Sequence, residues 1–199
     1  MSDEGESVGA HIEAAKSGRA KCRHCRETIA KGELRLGERV DNPYGEGDAT
    51  LWFHLACGAL KRPGAFLSAE VNFSEEIPER ESLRALARAG ERLPCLTSLA
   101  GIEAAPSGRA RCQQCRELIE KGALRLIRHN EADLMAVPTS SYLHLACAKA
   151  YVAAAEGGET ESAESDLLLH LDRHRSALEG DLEGAATAAI EALFTEARS

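Results

Sequence analysis

Two sets of cysteine and histidine residues recur in this sequence at a fixed offset of 90 residues. Each set reads C-x2-C, then 28 intervening residues, then H-x2-C. The first set comprises Cys22, Cys25, His54 and Cys57, and the second comprises Cys112, Cys115, His144 and Cys147. Zn²⁺ prefers four tetrahedral ligands drawn from thiolate and imidazole groups. The pattern therefore predicts two zinc ions per chain.

The expected role of these zinc ions is structural. Four protein ligands fill a tetrahedral site and leave no open position for a substrate or a reactive water. We therefore predict no catalytic residues and no enzyme activity. Disulfide pairing or buried free thiols is the alternative, and the repeated histidines disfavour it. His24 lies inside the first C-x2-C, but Gln114 stands at the matching position, so we do not predict it as a ligand.

The sequence around these ligands is repeated as well. Residues 12–36 and 102–126 are identical at 18 of 25 positions, which indicates an internal duplication. In each copy the C-x2-C is expected to form a tight turn, or knuckle. The alternating side-chain pattern of residues 33–36 and 123–126 predicts a short strand, and a second strand is expected to lead back to the histidine. HLAC then opens a helix. The predicted fold class is small α+β, with two zinc-stabilised fingers of short antiparallel strands plus helix, each followed by helical segments.

Helical patterns outside the fingers complete the predicted domain organisation. We expect a helix over residues 78–89 that ends at Gly90, and further helices over 165–178 and near 182–193. His170 and His174 are expected at the surface. The predicted parts are a disordered N-terminus (1–9), a first finger (10–65), a helical linker (66–100), a second finger (101–155) and an acidic helical tail (156–199).

The charge of the chain is divided unequally along its length. The formal net charge is −8, yet residues 152–199 alone carry three Lys/Arg against eleven Asp/Glu. Basic residues cluster instead around each C-x2-C, where they could meet a phosphate backbone. We find no secretory signal and no apolar run long enough to span a membrane. The expected location is the cytoplasm, associated with the nucleoid, in a bacterium, and the nucleus in a eukaryote.

The first repeat resembles the zinc finger of poly(ADP-ribose) polymerases, and DNA ligase III carries a similar finger. The resemblance rests on the run A-K-S-G-R-A-K-C-x-x-C-x-x-x-I-x-K-G-E-L-R-L followed by W-F-H-x-x-C, and it covers about residues 11–60 and again 101–151. It implies tandem fingers that recognise DNA strand breaks without strong sequence preference.

The resemblance also implies which residues contact DNA. The arginine of the Ser-Gly-Arg turn and the arginine of the following strand would bind the phosphate backbone. Neighbouring basic side chains would add to the positive electrostatic potential at this surface. Apolar side chains of the loop before the second strand would stack on the bases exposed at a break. The matching phosphate-contacting residues are Lys16, Arg19, Lys21 and Arg35, then Arg109, Arg111 and Arg125. The matching loop residues are Tyr44 in the first finger and Leu134, Met135 and Val137 in the second.

We therefore predict a non-catalytic protein that binds nicks, gaps or overhangs with little sequence specificity. The alternative is a zinc-finger scaffold for protein–protein interaction or regulation through the acidic helical tail, which could also mediate self-association. The apolar loop residues of the second repeat suggest that the second finger binds breaks better than the first.

Overall fold

Each half of the chain contains three antiparallel strands that are followed by α-helices. The computed structural model describes residues 9–42, 46–130, 139–156 and 161–195. The chain divides by its internal contacts into unit 1, Met1–Glu91, and unit 2, Arg92–Ser199. Each unit contains one three-stranded sheet and one of the two cysteine–histidine sets.

The sheet of unit 1 has the strand order β1-β2-β3. Its strands are β1 (Ala10–Ala14), β2 (Leu34–Asp41) and β3 (Asp48–His54). Ile12 lies opposite Leu36, which in turn lies opposite Phe53, and all three side chains are buried. Successive side chains of a strand point to opposite faces, so these three residues define the buried face of the sheet.

Three helices follow the sheet of unit 1. They are α1 (Leu55–Lys61), α2 (Pro63–Val71) and α3 (Arg80–Arg92). Pro63 occupies the first turn of α2, where its missing N–H costs nothing. The fully buried Phe66 anchors this helix, which packs against β1 and α1. On α3, buried Leu83, Leu86 and Ala87 recur at helical spacing and form one apolar face.

The sheet of unit 2 repeats this arrangement with the order β4-β5-β6. Its strands are β4 (Leu99–Ala104), β5 (Leu124–Asn130) and β6 (Thr139–His144). Ile102, Leu126 and Leu143 are in register across the strands and are buried, as in unit 1. Short 3₁₀ segments stand before and after the sheet, at Pro94–Ser98 and Leu145–Cys147.

The core of unit 2 is completed by α4 (Ala148–Glu156), α5 (Glu161–Arg175) and α6 (Asp181–Thr195). Both α5 and α6 contact β4. Leu167, His170, Leu171 and His174 form the buried stripe of α5 at i, i+3, i+4 and i+7. The expectation that His170 and His174 lie at the surface was therefore wrong, since both belong to the helix face that packs on the core.

The predicted α+β fold class is confirmed, with two three-stranded antiparallel sheets and six α-helices among the described residues. Three details differ from the sequence prediction. The helix predicted to end at Gly90 continues to Arg92, and Gly90 is buried within it. The segment before each Ser-Gly turn is a third strand, and α2 was not predicted. Within the described residues, no helix has the length and apolarity that a membrane crossing requires.

Candidate zinc centres and nucleic-acid interface

A tight hairpin presents the first two ligands of each centre. In unit 1, Lys21 pairs with Thr28, and the Cys22 N–H donates to the Glu27 carbonyl at 2.8 Å. The chain turns back between these contacts, so Cys22 and Cys25 point to one side. In unit 2 the same hairpin is closed by the Arg111–Leu118 pair and by the Cys112 N–H donating to the Glu117 carbonyl at 2.8 Å.

The other two ligands of each centre come from the junction between a strand and a helical turn. His54 ends β3 and Cys57 lies in the first turn of α1, while His144 ends β6 and Cys147 closes the 3₁₀ segment. The four possible ligand atoms of each set all lie within 4.8 Å of one another. This spacing suits a single ion bound by three sulfurs and one nitrogen. We define finger 1 as β1–β3, α1 and the first set, and finger 2 as β4–β6, the Leu145–Cys147 segment and the second set.

The histidine rings turn the same nitrogen towards the cysteines in both fingers. His54 Nδ1 lies 3.3 Å from Cys25 Sγ, and His144 Nδ1 lies 3.4 Å from Cys115 Sγ. The opposite ring nitrogens have different surroundings. His54 Nε2 lies 3.8 Å from a carboxylate oxygen of Glu33, whereas His144 Nε2 lies 3.2 Å from the Leu118 carbonyl oxygen. Such outer contacts orient a ligating imidazole.

Neighbouring thiols shift the pKa of Cys22 and Cys57 in the first set and of Cys147 in the second. A hydrogen bond from Cys57 lowers the pKa of Cys22 to about 5, and the same contact raises the pKa of Cys57. Burial works to raise the pKa of Cys112, but backbone N–H groups, including that of Cys115, lower it to about 6. Burial, aided by the neighbouring Cys112, raises the pKa of Cys147 to about 12.

The shifted pKa values of these thiols are what a binding site for a divalent cation would show. Metal binding requires deprotonated thiolates, and a divalent ion offsets the repulsion that otherwise keeps the later thiols protonated. The prediction of two zinc ions is confirmed to the extent that both Cys₃His clusters have the composition and spacing zinc needs. Zinc would join the hairpin to the strand end and thereby fix the fold of each finger. His24 and the half-buried Cys95 belong to neither cluster.

Exposed basic side chains surround each knuckle. Arg19 and Arg109 lie in the Ser-Gly-Arg turns and are exposed, and Lys21 and Arg111 follow them on the exposed side of each hairpin. The side chain of Lys16 is 84% exposed and lies 3.9 Å from Glu13. The predicted phosphate contacts of these five residues stay predictions, and their exposure is what such contacts require.

The strand arginines of the predicted interface have a different environment. Arg35 is only 7% exposed and Arg125 only 4%. Arg35 donates to a carboxylate oxygen of Glu13 at 2.6 Å, and its guanidinium carbon lies 3.5 Å from the centroid of the Trp52 ring. A guanidinium over an aromatic ring is stabilised by a cation–π interaction.

The second finger repeats this stacked ion pair with its own residues. Arg125 donates to a carboxylate oxygen of Glu103 at 2.8 Å and stacks on Tyr142 at 3.6 Å. Sequence reasoning missed both glutamates, although I-E-A-A is repeated in the two copies. For phosphate to reach Arg35 or Arg125, it must therefore compete with a carboxylate that is already in place.

The four predicted base-stacking residues, Tyr44, Leu134, Met135 and Val137, lie outside the described residues. The expectation that finger 2 binds breaks better than finger 1 rests on them and stays a prediction. The structure adds one apolar feature that sequence reasoning did not single out. Leu118, on the knuckle hairpin of finger 2 beside Arg111, is 48% exposed, whereas finger 1 has Thr28 at the matching position.

Comparison with known proteins agrees with this geometry. The family described as "Poly(ADP-ribose) polymerase and DNA-Ligase Zn-finger region" matches residues 13–89. Finger 1 is a zinc finger of the poly(ADP-ribose) polymerase type. The second cluster, with the same ligands in the same order, indicates a second finger, as the tandem resemblance implied.

Individual relatives agree with this assignment. The chain is similar to poly [ADP-ribose] polymerase 1 of Gallus gallus, with 32% identity over 130 residues, which cover 57% of this chain and 13% of that protein. Poly [ADP-ribose] polymerase 1 of Oryza sativa subsp. japonica is 29% identical over 121 residues, 57% of this chain and 12% of that protein. The chain thus spans only about an eighth of the length of these relatives.

Proposed function

We propose that this protein binds DNA strand breaks, such as nicks, gaps and overhangs, with little sequence preference and without catalysing a reaction. The observation that carries the proposal is the repeated placement of exposed basic turns beside the two zinc centres, at Arg19 with Lys21 and at Arg109 with Arg111. The match of finger 1 to the polymerase and ligase zinc-finger region supports DNA as the partner.

Phosphate contacts account for the affinity in this proposal. Lys and Arg side chains that neutralise phosphates release condensed counterions, and this term is independent of base sequence. Preference for a break requires a second element, because intact duplex offers the same phosphates. Apolar side chains that stack on bases uncovered at a nick or end supply about 1–3 kcal/mol per base. We assign that role to the loop residues named from the sequence, Tyr44, Leu134, Met135 and Val137.

The test is binding of the full chain to four DNAs of one sequence: intact, nicked, gapped and with an overhang. Gel-shift titration at two salt concentrations gives both the preference and the salt dependence. We expect tighter binding to the three interrupted DNAs and a loss of affinity as salt rises, since each phosphate contact contributes about −0.9 to the slope of log K against log salt. Equal binding to all four DNAs refutes recognition of breaks.

The same titration distinguishes DNA binding from the alternative function, a scaffold for protein–protein interaction. A protein–protein scaffold that works through the acidic C-terminal helices has no reason to bind DNA with a steep salt dependence. Deleting residues 157–199 adds a second comparison. If the acidic tail competes with DNA for the basic turns, the truncated chain binds more tightly, and unchanged affinity argues against that competition.

A further inference from the structure

We propose that Arg26 and Arg116, the residues directly after each C-x2-C, are additional DNA-phosphate contacts, one in each finger. This inference rests on the proposed DNA-binding function. Both residues have an unusual backbone conformation. Arg26 has φ 67° and Arg116 has φ 68°, in the left-handed region that side chains with a Cβ rarely adopt. Such conformations persist where the surrounding structure enforces them, and they cluster at functional sites.

The same fingers show that glycine is used where only a turn is needed. Gly32 and Gly122 occupy matched positions with φ 85° in each finger, and both copies have glycine there. At 26 and 116 the backbone is also left-handed, yet both copies have arginine. Between the cysteines of the two copies, by contrast, Arg23 and His24 are replaced by glutamine. Arginine is thus present in both fingers at a position where it costs conformational free energy.

The hairpin explains why the backbone must be left-handed at this position. The Arg26 N–H donates to the Cys22 carbonyl at 3.0 Å, and the Arg116 N–H donates to the Cys112 carbonyl at 3.0 Å. Each bond closes the turn that holds the two knuckle thiols together. The backbone of these residues therefore serves the metal centre, and it makes no demand on the side chain. A glycine would meet the backbone requirement with less strain.

The side chains of Arg26 and Arg116 are themselves exposed. Among the described residues, neither guanidinium has an ion pair with a carboxylate, although the exposed Glu27 and Glu117 follow directly in the sequence. In finger 2, Arg111 Nη1 donates to the Arg116 carbonyl oxygen at 3.1 Å. This bond brings a second cation to the end of the hairpin.

Two cations converging on an exposed turn suit a phosphate group. In finger 1 the counterpart of Arg111 is Lys21, so the same pair of charges is available there. Arginine presents a planar fork of N–H donors that matches phosphate geometry. Each knuckle would then hold a phosphate next to the one assigned to the Ser-Gly-Arg turn, and the DNA backbone would run along the hairpin.

The test uses the opposite effects expected on folding and on binding. We compare the full-length Arg26→Gly/Arg116→Gly variant with Arg26→Lys/Arg116→Lys, which keeps the charges. Arg88→Gln, which removes an exposed charge from α3, serves as the control. For each protein we measure zinc content, the melting temperature, and the affinity for nicked duplex by fluorescence anisotropy over a series of salt concentrations.

We expect the glycine variant to retain two zinc ions and to melt at the same or a higher temperature. For each phosphate that the variant no longer neutralises, its DNA affinity should fall about eightfold at 0.1 M salt, and the magnitude of the salt slope should fall by about 0.9. The lysine variant should keep the wild-type slope. A glycine variant that binds like Arg88→Gln, or one that loses zinc, overturns the inference. Wild-type protein that binds no DNA overturns the proposed function and this inference together.

Discussion

In each finger, a carboxylate and a DNA phosphate would compete for the stacked arginine. Arg35 donates to Glu13 at 2.6 Å, and this hydrogen bond holds the pKa of the Glu13 carboxyl below its usual range. Arg125 donates to Glu103 at 2.8 Å in the same way. A phosphate that approaches either arginine must displace or share this partner. The perturbation that tests this is Glu13→Gln/Glu103→Gln, which keeps the shape of each side chain and removes its charge.

The expected effects have opposite signs for stability and for binding. A hydrogen bond to a charged group contributes about 1.5–3 kcal/mol, and a neutral one about 1 kcal/mol. Because glutamine keeps a neutral bond, each substitution should reduce the free energy of unfolding by about 1 kcal/mol. Each freed arginine that then takes up a phosphate should steepen the salt slope by about 0.9 and raise the affinity about eightfold at 0.1 M salt.

The assay is denaturant unfolding together with DNA titration over a series of salt concentrations. Glu91→Gln is the matched control, because Glu91 is exposed on α3 and its loss changes the net charge by the same amount per substitution. We expect the double variant to bind nicked DNA more tightly and with a steeper salt slope than the control. If the double variant loses stability while its slope equals that of the control, Arg35 and Arg125 are structural residues and do not contact DNA.

Three further predictions concern the fold. Cys57→Ser should lower the zinc content from two ions to one and unfold finger 1 while finger 2 keeps its metal, because a structural zinc contributes on the order of 10 kcal/mol; two retained ions would contradict this. Glu70 is 1% exposed and accepts hydrogen bonds from Arg80 and Arg84, and the Arg84 bond chiefly lowers its pKa below the ordinary 4.5. The contribution of ionised Glu70 to the free energy of unfolding should be complete above pH 4.5 and be lost as the pH falls through the lowered pKa of Glu70. Glu70→Gln should remove this pH dependence in acid unfolding experiments. Phe66→Ala should cost about 3–5 kcal/mol in urea unfolding if α2 is an integral part of unit 1, and a loss below about 1 kcal/mol would show that it is not.

The parts of the fold that carry a periodic or repeated signal could be predicted from the sequence. The ligand sets, the strands before His54 and His144, and the helices α3, α5 and α6 all fall in this class. The helix α2 could not be predicted in this way, since its buried Phe66 and Glu70 are held by contacts with other elements rather than by a regular apolar stripe. The stripe that buries His170 is regular, and treating histidine as a surface residue concealed it.

The candidate site was predicted in its composition more completely than in its geometry. Residue types and spacing indicate zinc, because four ligands at fixed intervals allow few other arrangements. They do not indicate that Arg35 is buried against Trp52 and Glu13, since cross-strand neighbours depend on register. The left-handed conformation of Arg26 was equally inaccessible, because the residue type that usually reports such a turn is glycine.

We infer that two zinc-organised fingers present basic turns to interrupted DNA. The most direct test of this binding is the ratio of dissociation constants of the zinc-loaded chain for intact and nicked duplexes of one sequence at about 0.1 M salt. Stacking on a single uncovered base, at about 1–3 kcal/mol, predicts that the nicked duplex binds about 5- to 150-fold more tightly. Strong chelation of zinc should abolish binding to both. A ratio of one, or binding that survives the loss of zinc, would refute the recognition of interrupted DNA by zinc-organised fingers.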